Sequence, residues 1–580
     1  MQIAYTATQV RAAERPLLDA GLGGALMRRA AAGLASACRR LLIAHRRAVT
    51  GARVVVLAGK GNNGGDALYA AANLAARGAQ VTIVPVLGTV HPAGLAAARS
   101  AGALLYSVPE APAPTGDRAS TAALTDADST ESATAPWEGL ARGPLARADL
   151  VIDGILGTGA TGEPTGPIAD LITAWLKTWD DPAHRCGPLP LIVAVDVPTG
   201  VDASTGRRAT VHVPADLTVT FGAQKAGLVL AGLPTEVIDI GLDLSQVPES
   251  RTIAEVEDAD LEELLPYPSP TDHKYSRGVL GVLAGSPEYP GAGRLATGAA
   301  VACGLGMVRV FGAKKLRRAI IDTVPEAVPG ELDAPGRCRA FLTGPGAPDE
   351  VQVAQLLSTA IEANAPLVLD AGALLQVPAL LGAGAALPAG SILTPHVGEF
   401  RTLYTGLARA GLLEPSPVPE AAADQDRSSA PGGAEGPGTD HAPTGPDLDD
   451  PEQRLAALRG IAAAVGAVVL LKGHQTLIAT PAGAVYAPTP GPANLATAGS
   501  GDVLAGILGA LLATGAHRGN QTSALLAAAG VLLHNRIGTR PAAGPTPTHA
   551  RAFIERIATC LPPNPMRPAP TIPSHLSRTR

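Results

Sequence analysis

Aromatic side chains are scarce in this chain, at 3% of 580 residues, and no basic stripe runs with aromatic residues between its charges. With a formal net charge of −6, this excludes the electrostatic footprint of a nucleic-acid-binding protein. Cysteine is scarce as well. Cys38, Cys186, Cys303, Cys338 and Cys560 are scattered, odd in number and free of any CxxC pair. Neither a disulfide framework nor a cysteine zinc site is expected, and a reducing, cytoplasmic setting is. No uninterrupted apolar run reaches the roughly 20 residues of a membrane-spanning helix, so no membrane partner is expected. The start, Met1-Gln2-Ile3-Ala4-Tyr5-Thr6, lacks the basic-then-apolar order of a signal peptide.

Alanine, glycine and proline fill the space that aromatics leave. The length is too great for one core and implies two to four domains. Residues 108–140 and 413–450 are dominated by Pro, Ser, Thr, Asp and Gly. Such segments bury too little apolar surface to offset their ordering entropy, so both are expected to be disordered insertions inside domains. The Pro-rich tail 561–580 is expected to be loose. A domain boundary is expected near residue 245, after Val237-Ile238-Asp239-Ile240-Gly241-Leu242 and before a short acidic helix in 256–265, giving domains 1–245 and 246–560.

Each half repeats one texture: a β-branched run, a Gly-rich turn, then an Ala/Leu helix. Val54–Leu57, Leu191–Val195, Val279–Leu283, Leu367–Leu369 and Ala467–Leu471 are such runs. Buried parallel strands read this way, and their alternation with helices predicts an α/β fold with doubly wound sheets. Ligands in that architecture sit at the carboxyl ends of the strands, where the motif-bearing turns fall.

In the first half, Gly59-Lys60-Gly61-Asn62-Asn63-Gly64-Gly65-Asp66 follows a strand. Its glycines admit close backbone approach, and its carboxamides add donors and acceptors a plain turn does not need. Asp153 ends the next strand before the loop Gly157-Thr158-Gly159-Ala160-Thr161-Gly162-Glu163, and Val195-Asp196-Val197-Pro198-Thr199 ends a third. Asn63, Asp153 and Thr199 together offer hard oxygen ligands, which suit an alkali or alkaline-earth cation rather than zinc.

These motifs, with Thr218-Val219-Thr220-Phe221-Gly222, resemble in order the NAD(P)H-hydrate epimerase family, the YjeF N-terminal domain, over roughly 5–242. The resemblance implies a Rossmann-like fold that interconverts the R and S epimers of hydrated NADH or NADPH. It implies contacts to the hydrate from Asn62, Asn63, Gly64, Gly65, Asp66, the Gly157–Glu163 loop and Asp196. It further implies a catalytic role for Asp196 and potassium held by Asn63, Asp153 and Thr199. Ala67 stands where the family usually has Gly, and Thr199 where it usually has Ser. Lys225 matches a basic family position, with a solvated surface lysine as the alternative.

The second half centres on Thr497-Ala498-Gly499-Ser500-Gly501-Asp502-Val503-Leu504-Ala505-Gly506. Backbone N–H groups in such a loop can hold a phosphate. An acid just inside the helix points to a base that takes a hydroxyl proton while a phosphoryl group is transferred. Read alone, the loop does not separate a kinase from other phosphoryl-transfer enzymes. Upstream lie Ala284-Gly285-Ser286, Gly344-Pro345-Gly346, Thr394-Pro395-His396-Val397-Gly398-Glu399 and Lys472-Gly473-His474-Gln475-Thr476. In order these resemble ADP-dependent NAD(P)H-hydrate dehydratases, a ribokinase-like fold, over roughly 250–560. The resemblance implies adenine-nucleotide contacts from Lys472, Gly473, His474, Gln475, Thr476 and Gly501. It implies hydrate contacts from Ala292, Gly346, His396 and Asp502, with Asp502 catalytic and magnesium arriving with ADP. Ala347-Pro348 replaces a commonly repeated glycine. The implied substrates are NADHX, NADPHX and ADP, and a homo-oligomer is expected. The alternative is a ribokinase-like small-molecule kinase fused to a non-catalytic Rossmann-like module.

Overall fold

The computed structural model describes residues 1–107, 137–179, 188–245, 253–265, 268, 270–346, 348–414, 445–515, 520–539 and 549–562. Most of the two low-complexity insertions, most of the tail, Cys186 and Ala347 lie outside them. The margins of the insertions depart from expectation. Residues 137–142 are helical, and Trp137 and Leu140 are buried in an apolar cluster with Trp175. Leu448 is buried as well, and the Asp450 side chain caps the helix Pro451–Val465 by accepting from the N–H groups of Glu452 and Gln453. Composition averaged over a window hides a single large apolar side chain at the edge of a polar stretch.

The chain forms two compact units, Ile3–Pro248 and Glu249–Arg580 with Met1–Gln2. In the first, the strands are β1 (Gln2–Tyr5), β2 (Arg53–Ala58), β3 (Gln80–Pro85), β4 (Leu104–Leu105), β5 (Leu150–Gly154), β6 (Leu191–Val195), β7 (Leu217–Phe221), β8 (Gln224–Lys225) and β9 (Thr235–Ile238). Seven of them form a parallel sheet in the order β4-β3-β2-β5-β6-β7-β9, and β1 pairs in parallel with β8. The chain order reverses between β2 and β5, which makes their carboxyl ends the switch point where ligands bind. All five residues of β5 are buried, as a strand covered on both faces requires.

In the second unit, β10 (Ile253–Val256), β11 (Val279–Leu283), β12 (Met307–Val310), β13 (Val328–Pro329), β14 (Ala340–Thr343), β15 (Leu367–Leu369), β16 (Ile392–Leu393), β17 (Val468–Leu471), β18 (Leu477–Ala479) and β19 (Val485–Pro488) run β13-β12-β11-β14-β15-β16-β17-β18-β19-β10. Pairing is parallel except along β17-β18-β19. The expected acidic helix is split: Val256 ends β10, a 3-10 turn covers Asp258–Asp260, and the helix is Leu261–Leu264. Helix Ser500–Gly515 packs on Pro290–Ala302 so closely that a Cβ on Gly506 would stand 2.2 Å from the Ala296 carbonyl oxygen and 2.9 Å from the Ala299 Cβ. Only glycine fits there. Among the described residues no helix is long and apolar enough to cross a membrane.

Candidate active sites

In the first unit the motif-bearing turns leave β2, β5 and β6 side by side. Asp153, the penultimate residue of β5, is fully buried. Its Oδ2 accepts from the Thr199 N–H at 2.8 Å, and its Oδ1 accepts from the Thr199 hydroxyl at 2.8 Å and the Ile155 N–H at 3.3 Å. Burial pushes this carboxyl up to about 6 against those three hydrogen bonds, and among the described residues no cationic side chain forms an ion pair with it. The Asn63 carboxamide lies against Gly157 and donates to the carbonyls of Leu156 at 2.9 Å and Val195 at 2.7 Å. Asn63, Asp153 and Thr199 are therefore brought together around backbone carbonyls and one uncompensated buried carboxylate.

Asp196 follows β6 with φ +66, a left-handed conformation that Asp tolerates better than most residues. Its Oδ1 accepts from the Lys225 ammonium at 2.7 Å, the Thr220 hydroxyl at 2.9 Å and the Phe221 N–H at 3.3 Å. Lys225 is 1% exposed and also donates to the Phe221 carbonyl at 2.7 Å. The solvated-surface alternative is thus wrong. Lys225 sits on β8 beside β1, a pairing across some 220 positions that no local pattern reveals.

Two groups the sequence reading passed over come from helix Ala7–Asp19. A Thr6–Gln9 capping box starts it, a device that contributes about 1 kcal/mol to a helix end. Arg11 donates to the Thr158 carbonyl at 3.2 Å. Glu14 is half-buried, and its carboxyl is raised by burial against the attraction of Lys225. Asp66 lies one turn inside the helix Asn62–Ala75 and is buried. Glu163 stands apart: it is exposed and accepts from the Thr210 N–H at 2.9 Å, a bond that holds its carboxyl below the usual range.

In the second unit the turns after β11, β14, β15, β16 and β17 share one end of the sheet. Gly346, at φ +73, packs on the helix that carries Ala292, where a Cβ would lie 2.7 Å from the Ala292 Cβ. His396 caps helix Val397–Arg409: its Nδ1 accepts from the N–H groups of Gly398 at 3.0 Å and Glu399 at 3.3 Å, and the Glu399 carboxylate accepts from the His396 N–H at 2.8 Å. That bonding leaves Nε2 as the ring donor. The His396 backbone bridges to Lys472. The Lys472 ammonium donates to Asp370 Oδ1 at 2.7 Å and stands 3.7 Å from Glu399 Oε2.

Asp370 was missed from sequence, although it ends a buried strand as Asp153 and Asp196 do. It is 3% exposed and also accepts from the Thr394 hydroxyl at 2.8 Å. Asp502 lies in the first turn of helix Ser500–Gly515. Burial, then repulsion from Asp370, raises its carboxyl to about 6, opposed by Lys472. Asp370→Asn removes the repulsion and frees Lys472 to attract Asp502, so the Asp502 carboxyl falls. The acid limb of any rate that needs Asp502 ionised is then expected to move about one unit below its wild-type position near pH 6. A pH–kcat profile of both proteins checks this.

Beside Asp502, a pocket of about 450 Å³ is lined by Lys472, Gly473, His474, Thr476, Ser500 and Gly501 among others. Gln475 is not among the lining residues and donates to the Pro488 carbonyl at 3.0 Å. His534, a lone histidine in an Ala/Leu helix with no sequence signal, completes the floor. Its Nε2 is 3.0 Å from Ser500 Oγ, and burial pushes the imidazole down to about 4.

Residues 23–227 match the family described as YjeF-related protein N-terminus, and residues 280–425 and 443–558 match the NAD(P)H-hydrate dehydratase family. The bifunctional NAD(P)H-hydrate repair enzyme of Mycobacterium tuberculosis is 37% identical over 515 residues, covering 88% of this chain and 89% of that protein. An NAD(P)H-hydrate epimerase of Clavibacter michiganensis is 42% identical over 251 residues, covering 42% of this chain and 91% of that protein. Among solved structures, an ADP/ATP-dependent NAD(P)H-hydrate dehydratase from Bacillus subtilis covers 53% of this chain and 97% of its own, at 25% identity and a TM-score of 0.39. With both halves matched, the chain belongs to the family of bifunctional NAD(P)H-hydrate repair enzymes.

Proposed function

We propose that the first unit interconverts R- and S-hydrates of NADH and NADPH, and that the second dehydrates the S form with ADP, releasing AMP and phosphate. Spontaneous hydration at C6 gives both epimers, so joining the two activities lets one chain recover the whole mixture. In the second unit Asp502 takes the C6 hydroxyl proton, and the oxygen attacks the β-phosphate of ADP, expelling AMP. The ring nitrogen then expels phosphate from C6, and loss of a C5 proton restores the dihydropyridine. The N–H groups of Gly499 and Gly501 face the transferring phosphoryl charge, that of Ser500 being donated to the Thr497 carbonyl at 3.2 Å, and Lys472, Gly473, His474, Thr476 and Gly501 hold the nucleotide. Magnesium would arrive on the phosphates and neutralise their charge; among the described residues no cluster of three acidic, His or Cys side chains could hold it alone. Ala292, Gly346 and His396 contact the hydrate. The observation that carries this reading is Asp502 raised to about 6, next to a glycine turn that lines a pocket.

In the first unit Asn63, Asp153 and Thr199 would hold potassium, and a buried carboxylate without a cationic side-chain partner fits that charge. Bound there, the ion would supply fixed positive charge beside the hydrate. Asn62 to Asp66, Gly157 to Gly162 and Asp196 surround the hydrate, with Glu163 outside that set. Purified protein given mixed epimers and ADP in potassium buffer is expected to restore all the NAD(P)H absorbance, with one AMP and one phosphate per molecule. In tetramethylammonium buffer, fast recovery is expected to stop at the S fraction. Recovery that neither ADP nor ATP stimulates sinks the dehydratase reading. Recovery confined to the S fraction in potassium sinks the epimerase reading.

A further inference from the structure

Asp66 is a buried acid to which the reading above gives only a contact role. It is 6% exposed, and its Oδ1 is the one carboxyl oxygen among the described residues that is covered and without a hydrogen-bond partner. An orphaned buried polar atom is destabilising, and packing alone gives no reason to keep one. Around it stand two more carboxyls, Asp196 from the turn after β6 and Glu14 from helix Ala7–Asp19, with Lys225 and Arg11 as the cations of the cluster. Lys225 is committed to Asp196. Burial first, then repulsion by Asp196 and Glu14, raises Asp66 to about 8. One carboxyl therefore holds its proton while its neighbour is an ion-paired carboxylate. Paired acids whose surroundings separate them in this way are fitted to opposite roles in proton transfer.

Inversion at C6 of the hydrate needs one group of each kind. C6 carries both the hydroxyl and the ring nitrogen, so the nitrogen lone pair can expel the oxygen once that oxygen is protonated. We propose that Asp66 is the proton donor of the epimerisation and Asp196 the acceptor. Asp66 gives its proton to the C6 hydroxyl, the C6–O bond breaks as the N1=C6 bond forms, and water leaves. Water then adds to the opposite side of C6, the N1=C6 electrons return to nitrogen, and the proton released goes to Asp196. Proton exchange between the two neighbouring carboxyls restores the starting state, with no net redox change.

The proposal rests on the epimerase reading, and the experiment separates the two. Full-length wild type, Asp66→Asn and Asp66→Glu are given the R-hydrate in potassium buffer made with ¹⁸O-labelled water. Wild type is expected to form S with ¹⁸O at C6. Asp66→Asn, which keeps the side chain's shape, is expected to lose at least about 100-fold of both inversion and label uptake. Its R-hydrate affinity by equilibrium dialysis and its ADP-dependent use of pure S-hydrate are expected to stay within threefold. Asp66→Glu is expected to recover part of the loss. Asp66→Asn inverting within threefold of wild type overturns the proposal and leaves the epimerase reading standing, as does inversion without label. A loss matched by an equal loss of affinity overturns it in favour of a binding role. Wild type that does not invert R-hydrate overturns the reading and the proposal together.

Discussion

Replacing Asp502 by Asn is expected to lower kcat for ADP-dependent dehydration of S-hydrate by about 10²- to 10⁴-fold, the range a positioned general base contributes. Asn keeps the shape of the side chain and of the first turn of helix Ser500–Gly515 but accepts no proton. The raised carboxyl explains why the loss is large. An acid at about 6 is mostly ionised at pH 7 and still a stronger base than an ordinary aspartate. KM for ADP is expected to change little, because the pocket proposed for the nucleotide is lined by Lys472, Gly473, His474, Thr476, Ser500 and Gly501. Epimerisation of R-hydrate serves as the control for folding. A variant that keeps a tenth of wild-type kcat would show that Asp502 is not the base.

Lys225→Met is expected to cost about 3–5 kcal/mol of stability in the first unit, the scale for breaking a buried ion pair from one side. Lys225 is 1% exposed, and its ammonium satisfies two acceptors, Asp196 and the Phe221 carbonyl. Methionine fills the volume but leaves Asp196, 7% exposed, with a charge and no cation. Thermal unfolding of the full chain is expected to show a transition lowered by several degrees, and epimerisation is expected to collapse while S-hydrate is still dehydrated. Lys225→Arg keeps the charge without the compact head group and is expected to recover stability better than activity. An unshifted transition in Lys225→Met would mean that the pair adds nothing to the fold.

Much of this was legible because parallel strands buried on both faces are written as unbroken apolar runs. An acid that closes such a run is then a signal in its own right. Asp153 and Asp196 were read that way. Asp370, closing Leu367-Val368-Leu369, carries the same signal and was passed over because no glycine-rich motif follows it. Other residues could not be reached by any local pattern. Lys225 is buried because β8 finds β1 at the far end of the unit's sequence, and Glu14 reaches the carboxyl cluster only because its helix is placed over the turns. Trp137 shows the opposite failure, a core side chain at the margin of a stretch whose average composition denies a core. Gln475 sits inside a matching motif, yet its carboxamide is spent on the Pro488 carbonyl, so motif membership alone does not assign a contact.

The glycine at 506 has a dynamic consequence. With helix Ser500–Gly515 seated backbone-to-backbone on Pro290–Ala302, Asp502 and the wall bearing Ala292 are expected to move as one body. Any closing of the second unit around its ligands must therefore be performed by the opposite side, where His396 and Lys472 sit on turns between strand and helix or strand and strand. Substrate-driven motion is expected to appear as changed hydrogen exchange in residues 394–400 and 472–476, with the two glycine-locked helices as the stationary frame.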